Sequence, residues 1–263
     1  MNSAMNTTDI STAGYANVNG LRMYYEVHGS GGTPLVLLHG GVMTIDTTFG
    51  AVLPELAANR QVIAVELQAH GHTADIDRAI TLDGLAADVV ALLDELGIEQ
   101  VDLFGFSLGG LTALRVAMLH PDRVRRLVAA ATHFRSSGYH SGIRDGAPDT
   151  AGRMPTAEEF QQWQESYERV APDPDQFFAL AAKATPAPDD VDGWTEDELR
   201  GITARTLLVV ADNDFVRLDH AGAMRDLIPG ARLAVVPGAT HTGLMRRTAI
   251  LLPLVESFLA EEG

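Results

Sequence analysis

The chain contains no cysteine, so disulfides, thiolate metal sites and a cysteine nucleophile are all excluded. Basic residues are scarce: 19 Lys and Arg stand against 35 Asp and Glu, a formal net charge of -16. Nucleic acids and anionic membrane surfaces both need a basic footprint, so neither is expected as a partner. No run approaches about 18 consecutive apolar residues, the length a spanning helix requires. The first fourteen residues, MNSAMNTTDISTAG, lack a basic start and an apolar stretch. They read as a disordered leader rather than a secretory signal, with the cytoplasm as the expected location. What the chain does have is 263 residues that are 46% hydrophobic. That suits one sizeable domain with a real core. Nothing in this composition decides between a monomer and a homodimer.

Residues 15–28 read as two short strands around Asn19-Gly20, a strong two-residue hairpin signal. Continuous apolar runs follow at PLVLLHGG, QVIAVEL, VDLFGF, VRRLVAAA, TLLVVA and, more weakly, RLAVVPG. Such runs suit strands buried on both faces. Helical patterns lie between them. One is capped by Thr81 and closed by Gly97, and one runs from Leu108 to Leu119 and stops before Pro121. Another covers residues 219–228, and a last one lies around residues 254–259 with Pro253 near its start. The alternation predicts an α/β fold: a mostly parallel sheet flanked by helices. Residues 133–201 break the rhythm with helix patterns and Pro/Gly-rich stretches. They are expected to form an inserted helical cap, leaving 15–132 and 202–263 as the core.

One short stretch carries chemistry. In LFGFSLGGL, Ser107 stands between Gly105 and Gly109, after a predicted strand and before a predicted helix. Gly-x-Ser-x-Gly in that setting is the signature of a nucleophile elbow, where a strained backbone presents the hydroxyl. A serine hydroxyl attacks only when a base takes its proton and a third group orients the base. The chain has nine histidines to choose from. After TLLVVA, both Asp212 and Asp214 qualify as the orienting acid. An aspartate that merely caps a turn is the competing reading for Asp212.

LLHGG, GFSLGG, HPDRV, VVADNDFV and PGATHTG occur in an order that resembles the α/β-hydrolase superfamily, from about Val18 to the C-terminus. The resemblance implies the α/β-hydrolase fold and a catalytic triad of Ser107, Asp214 and His241. It implies an oxyanion hole made by the backbone N–H groups of Leu108 and Gly41, with Val42 as the alternative to Gly41. His120, within HPDRV, is structural in the resemblance, and His39 in the HGG turn resembles a structural or oxyanion-loop histidine. His28, His70, His72, His140 and His220 are expected on turns, cap or surface. Pocket walls are expected from His39, His133, Phe134 and Trp163. The stripe Phe160, Trp163 and Tyr167 suits a helix face that holds the cap to the core. The stretch ELQAHGHT departs from the Asp-x-Arg-Gly-x-Gly-x-Ser often found there, which blurs the subfamily.

With serine at the elbow, the aspartate-nucleophile activities of that superfamily are not expected. No metal, nucleotide or flavin cofactor is implied: no ligand-spaced histidine pair and no dinucleotide fingerprint occur. The expected activity is a cofactor-independent serine hydrolysis of a small or medium, largely apolar carboxylic ester or lactone. Hydrolysis of a carbon–carbon bond in a diketone by the same triad is the alternative. A ligand-binding protein on the same fold is the reading from another class.

Overall fold

The computed structural model describes residues 12–143, 150, 152–184 and 193–261. Among the described residues, eight strands form one sheet: β1 (Thr12–Val18), β2 (Leu21–His28), β3 (Leu35–Leu38), β4 (Val62–Val65), β5 (Val101–Phe106), β6 (Val124–Ala130), β7 (Arg205–Asn213) and β8 (Arg232–Thr240). Their order is β1-β2-β4-β3-β5-β6-β7-β8. β1 and β2 pair antiparallel, and β2 runs antiparallel to β4. All later neighbours are parallel. The hairpin turns on Asn19 (φ 48°) and Gly20 (φ 82°), two left-handed residues in succession, as a type I′ turn demands. The first strand begins at Thr12, so residues 12–14 of the expected leader pair with β2 instead of standing free.

The apolar runs fold as buried strands because both sheet faces are covered. Leu35, Leu37 and Phe104 point into one core with helices α1 (Ile45–Phe49), α2 (Leu53–Leu56) and α9 (Thr248–Ala260). Val36, Leu38 and Leu103 point the other way, into a second core with α3 (Leu82–Glu95) and α4 (Leu108–Leu119). Period-two alternation thus feeds two cores from one strand. α3 starts at its Thr81 cap, whose hydroxyl accepts the Gly84 N–H at 3.1 Å, and Gly97 follows it with φ 67°.

Between β6 and β7 lie α5 (Ala157–Val170), α6 (Phe177–Lys183) and α7 (Glu196–Arg200). Trp163 and Tyr167 of α5, with Phe177 and Leu180 of α6, join the first core. α8 (Leu218–Leu227) packs Met224 into the second. The last helix starts at Thr248, five residues before Pro253, so the proline lies inside it. Proline there removes one helical hydrogen bond. The burial of Leu251, Leu252, Val255, Phe258 and Leu259 on the flanking turns offsets that loss. Among the described residues, no helix is long and apolar enough to cross a membrane.

Candidate active site

Parallel strands deliver their following loops to the carboxyl end of the sheet, and the site forms there. Ser107 directly follows β5 with φ 51° and ψ −116°, a conformation L-residues rarely adopt. Its N–H donates to the Ala130 carbonyl at 2.8 Å, which fastens the turn to β6. The flanking glycines are sterically required. A Cβ on Gly105 would lie 2.2 Å from the Gly109 carbonyl oxygen, and one on Gly109 would lie 2.0 Å from that of Leu38. α4 opens at Leu108, so its first amides have no helical acceptor and face the site with the positive end of the helix dipole.

His241 follows β8, and Asp214 follows β7. The His241 Nε2 lies 3.0 Å from the Ser107 hydroxyl, and its Nδ1 lies 2.8 Å from Asp214 Oδ1. That oxygen also accepts the Val216 N–H at 3.1 Å. Asp214 is fully buried, and Oδ2 has no hydrogen-bond partner among the described residues. Phe215 stacks on the imidazole at 3.7 Å between ring centres. Asp212 stands exposed and does something else. Its carboxylate accepts the N–H groups of Gly238 (2.9 Å) and Ala239 (3.1 Å), tying the end of β7 to the neighbouring strand β8. Those bonds hold it below the usual carboxylate range. Two residues apart, one carboxylate meets the imidazole and the other bridges to β8 rather than capping a local turn.

The loop after β3 supplies the facing wall. Gly41 and Leu108 both line a cavity of about 170 Å³ together with Ser107 and His241. The Val42 N–H is engaged, donating to His70 Nε2 at 3.0 Å, so Val42 is not free to serve as the alternative donor. The rest of the wall is mostly apolar, with Met43, Leu111, Trp163 and Phe215 prominent and Tyr139 and Thr242 adding polar edges. Among the described residues, the wall has no Lys, Arg, Asp or Glu.

Of the four side chains expected in the pocket, only Trp163 lines it. His39 is fully buried beneath it: its Nδ1 lies 2.8 Å from the Gly40 carbonyl and its Nε2 accepts the Leu67 N–H at 3.0 Å. His133 lies behind Tyr139, ring to ring at 4.3 Å. Phe134 joins the second core and stacks on His220 at 4.5 Å. The cause is Ala131, whose φ of 56° turns the chain as it leaves β6 and ends the strand alternation. His70 and His28 are also buried, not solvated. Burial, aided for His39 by the neighbouring His70, pushes the imidazoles down to about 3 for His39 and about 4 for His70. Phe215, Leu111 and Tyr139 were not anticipated. Only the first two carry a signal in the sequence: Phe215 directly follows Asp214, and Leu111 lies four residues beyond Ser107.

The inserted segment touches the site directly. Glu159 on α5 accepts the Thr242 hydroxyl at 2.8 Å, next to His241, and Arg153 donates to the Asp214 carbonyl at 2.7 Å.

The sequence profile of the alpha/beta hydrolase fold family matches residues 33–167, just over half of the chain. The protein belongs to that family. A 2-hydroxymuconate semialdehyde hydrolase of Pseudomonas sp. (strain CF600) is 31% identical over 260 residues, covering 90% of each chain. The dihydrolipoyllysine-residue acetyltransferase component of the acetoin cleaving system of Pseudomonas putida is 43% identical over 125 residues. That match covers 44% of this chain and 32% of the other. The crystal structure of the enol-lactonase from Burkholderia xenovorans LB400 superposes with a TM-score of 0.74 at 22% identity, covering 94% of this chain and 100% of that one. It attests the shared alpha/beta hydrolase fold.

Proposed function

We propose that the protein is a cofactor-independent serine hydrolase that cleaves a small or medium, largely apolar carboxylic ester or lactone through an acyl-enzyme. One observation carries the reading: the continuous hydrogen-bond path from Ser107 through His241 to buried Asp214, opening on an apolar cavity.

His241 Nε2 takes the Ser107 proton as the hydroxyl oxygen attacks the carbonyl carbon, and the carbonyl π pair moves to oxygen. The N–H groups of Gly41 and Leu108 hold that oxyanion, a contribution of about 10²–10³ in rate per donor. Asp214 keeps the Nδ1–H tautomer and stabilises the imidazolium. The oxyanion then collapses, the bond to the leaving oxygen breaks, and His241 returns its proton to that oxygen. Water repeats the sequence on the acyl-Ser107 ester and frees the acid. Residues 133–201 act as a cap, contributing Tyr139, Pro155, Trp163 and Ala184 to the wall. At about 170 Å³ the cavity is smaller than the roughly 300–1,000 Å³ of drug-sized sites, which favours short acyl groups.

The second reading is carbon–carbon hydrolysis, favoured by the 31% identity across 90% of the chain to the 2-hydroxymuconate semialdehyde hydrolase. A muconate carries a carboxylate, and the described wall offers it no cation. Neutral substrates therefore rank first. The test is a panel of p-nitrophenyl esters of graded length, small lactones and a carboxylated vinylogous diketone, with Ser107→Ala as control. Fastest turnover of a short ester or lactone is expected. Turnover of the diketone alone would establish the second reading, and a folded protein inert to all of them would leave a binding protein.

A further inference from the structure

Two buried imidazoles bond the peptide groups on either side of Gly41. The Gly40 carbonyl can only accept, so His39 Nδ1, 2.8 Å away, carries a proton, and its Nε2 is the acceptor for the Leu67 N–H. His70 has the same tautomer: Nδ1 donates to the Gln68 carbonyl at 2.8 Å, and Nε2 accepts the Val42 N–H at 3.0 Å. The two rings lie 4.8 Å apart. Each peptide unit is planar and trans, with its C=O and N–H pointing in opposite directions. The Gly41 N–H belongs to the peptide whose carbonyl His39 holds. The Gly41 C=O belongs to the peptide whose N–H His70 holds. Both planes flanking the Gly41 Cα are therefore fixed from outside, and Val42 keeps its left-handed φ of 55°. A Cβ built on Gly41 would lie 3.8 Å from the Leu108 side chain, so the two amides border the same space.

We propose that His70 is a positioning residue for acyl transfer, and the inference rests on the serine-hydrolase reading above. By holding the Val42 N–H, His70 withdraws that amide from the oxyanion site and fixes the peptide beyond Gly41. Gly41 and Leu108 are left as the two donors. A residue that only filled the volume would need no acceptor nitrogen. His70 acts through backbone geometry and is not among the residues that line the cavity.

The discriminating experiment compares p-nitrophenyl acetate with its thionoester, whose sulfur accepts hydrogen bonds poorly, in wild type, His70→Leu and His70→Gln. Rates are referred to sites titrated with a fluorophosphonate. His70→Leu should lower kcat on the oxoester by about 10- to 100-fold, part of what a lost oxyanion donor costs, with KM little changed. It should also shrink the oxo-to-thiono rate ratio. His70→Gln, which restores an acceptor, should recover most of both. An unchanged kcat in His70→Leu, or an equal loss on both substrates, would overturn the proposal. Should His70→Leu fail to fold, His70→Asn, whose shorter side chain cannot hold the same acceptor position, carries the same oxo-to-thiono comparison, and ¹⁵N NMR of the wild-type protein checks the bond itself. A scalar coupling between the Val42 amide nitrogen and His70 Nε2 supports the clamp, and its absence overturns it. A wild-type protein inert to esters but showing that coupling would sink the hydrolase reading, not the clamp.

Discussion

The loops that leave β3 and β5 stand side by side and each holds one non-glycine residue in left-handed backbone: Val42 at φ 55° and Ser107 at φ 51°. They are held there by different means. The β5 turn is locked by the main chain: glycines with no room for a Cβ, the Ser107 N–H on β6, and the Ser107 carbonyl accepting the Leu111 N–H at 2.9 Å. The β3 turn is held by side chains, the neutral rings of His39 and His70. A turn locked by main-chain packing is indifferent to pH and announces itself as a sequence motif. A turn held by imidazoles is neither.

The largest effect expected is on the β5 loop. Ser107→Ala should lower turnover by about 10⁴–10⁶-fold while circular dichroism and the melting midpoint stay close to wild type. The end of β7 and the residue after it repeat the contrast within three residues. Asp214→Asn should cost up to about 10⁴ in kcat, because the imidazole loses its fixed tautomer. Asp212→Asn should keep most of kcat, since its partners are the Gly238 and Ala239 amides. Equal losses in the two would show that the β7 loop acts as one unit.

Acid separates the β3 and β5 loops next. His39 and His70 are held neutral in the fold, with pKa values pushed down to about 3 and about 4. In the unfolded chain both rings take up protons below about 6.5, so the unfolded state gains protons first and stability falls as pH drops through that window. Between about pH 7 and pH 5 the two rings together should remove about 4 kcal/mol, read by urea denaturation at each pH. A flat stability over that interval would mean the rings are not buried as described. The smallest change concerns the tie from the inserted segment. Thr242→Val removes the hydroxyl that Glu159 accepts and should cost about 1 kcal/mol in stability, seen as a lower melting midpoint.

The parts legible in the sequence are those with a local cause. Asn19-Gly20 fixed the hairpin, Thr81 and Gly97 bounded α3, and Gly105 and Gly109 marked Ser107, all through backbone conformation or capping. The choice of Asp214 over Asp212 came from family resemblance, and the geometry distinguishes them as well. The parts missed depend on which segments meet in space. His39 and His70 are buried because the loops after β3 and β4 stack on each other, and neither loop says so by itself. The directions of His133 and Phe134 cannot be carried past the turn at Ala131. α1 and α2 are single short helices without a repeating apolar period. Pro253 reads as a helix start in the sequence because the favourable burial around it comes from a distant part of the chain.

The hydrogen bond from Ser107 to His241 predicts an activated nucleophile at Ser107. Treating the folded protein with an alkyl fluorophosphonate and mapping the product by peptide mass measures that alone. One adduct per chain, on the peptide containing Ser107 and absent from Ser107→Ala, is the predicted result. No adduct on a folded sample, or an adduct on any other residue, would contradict it.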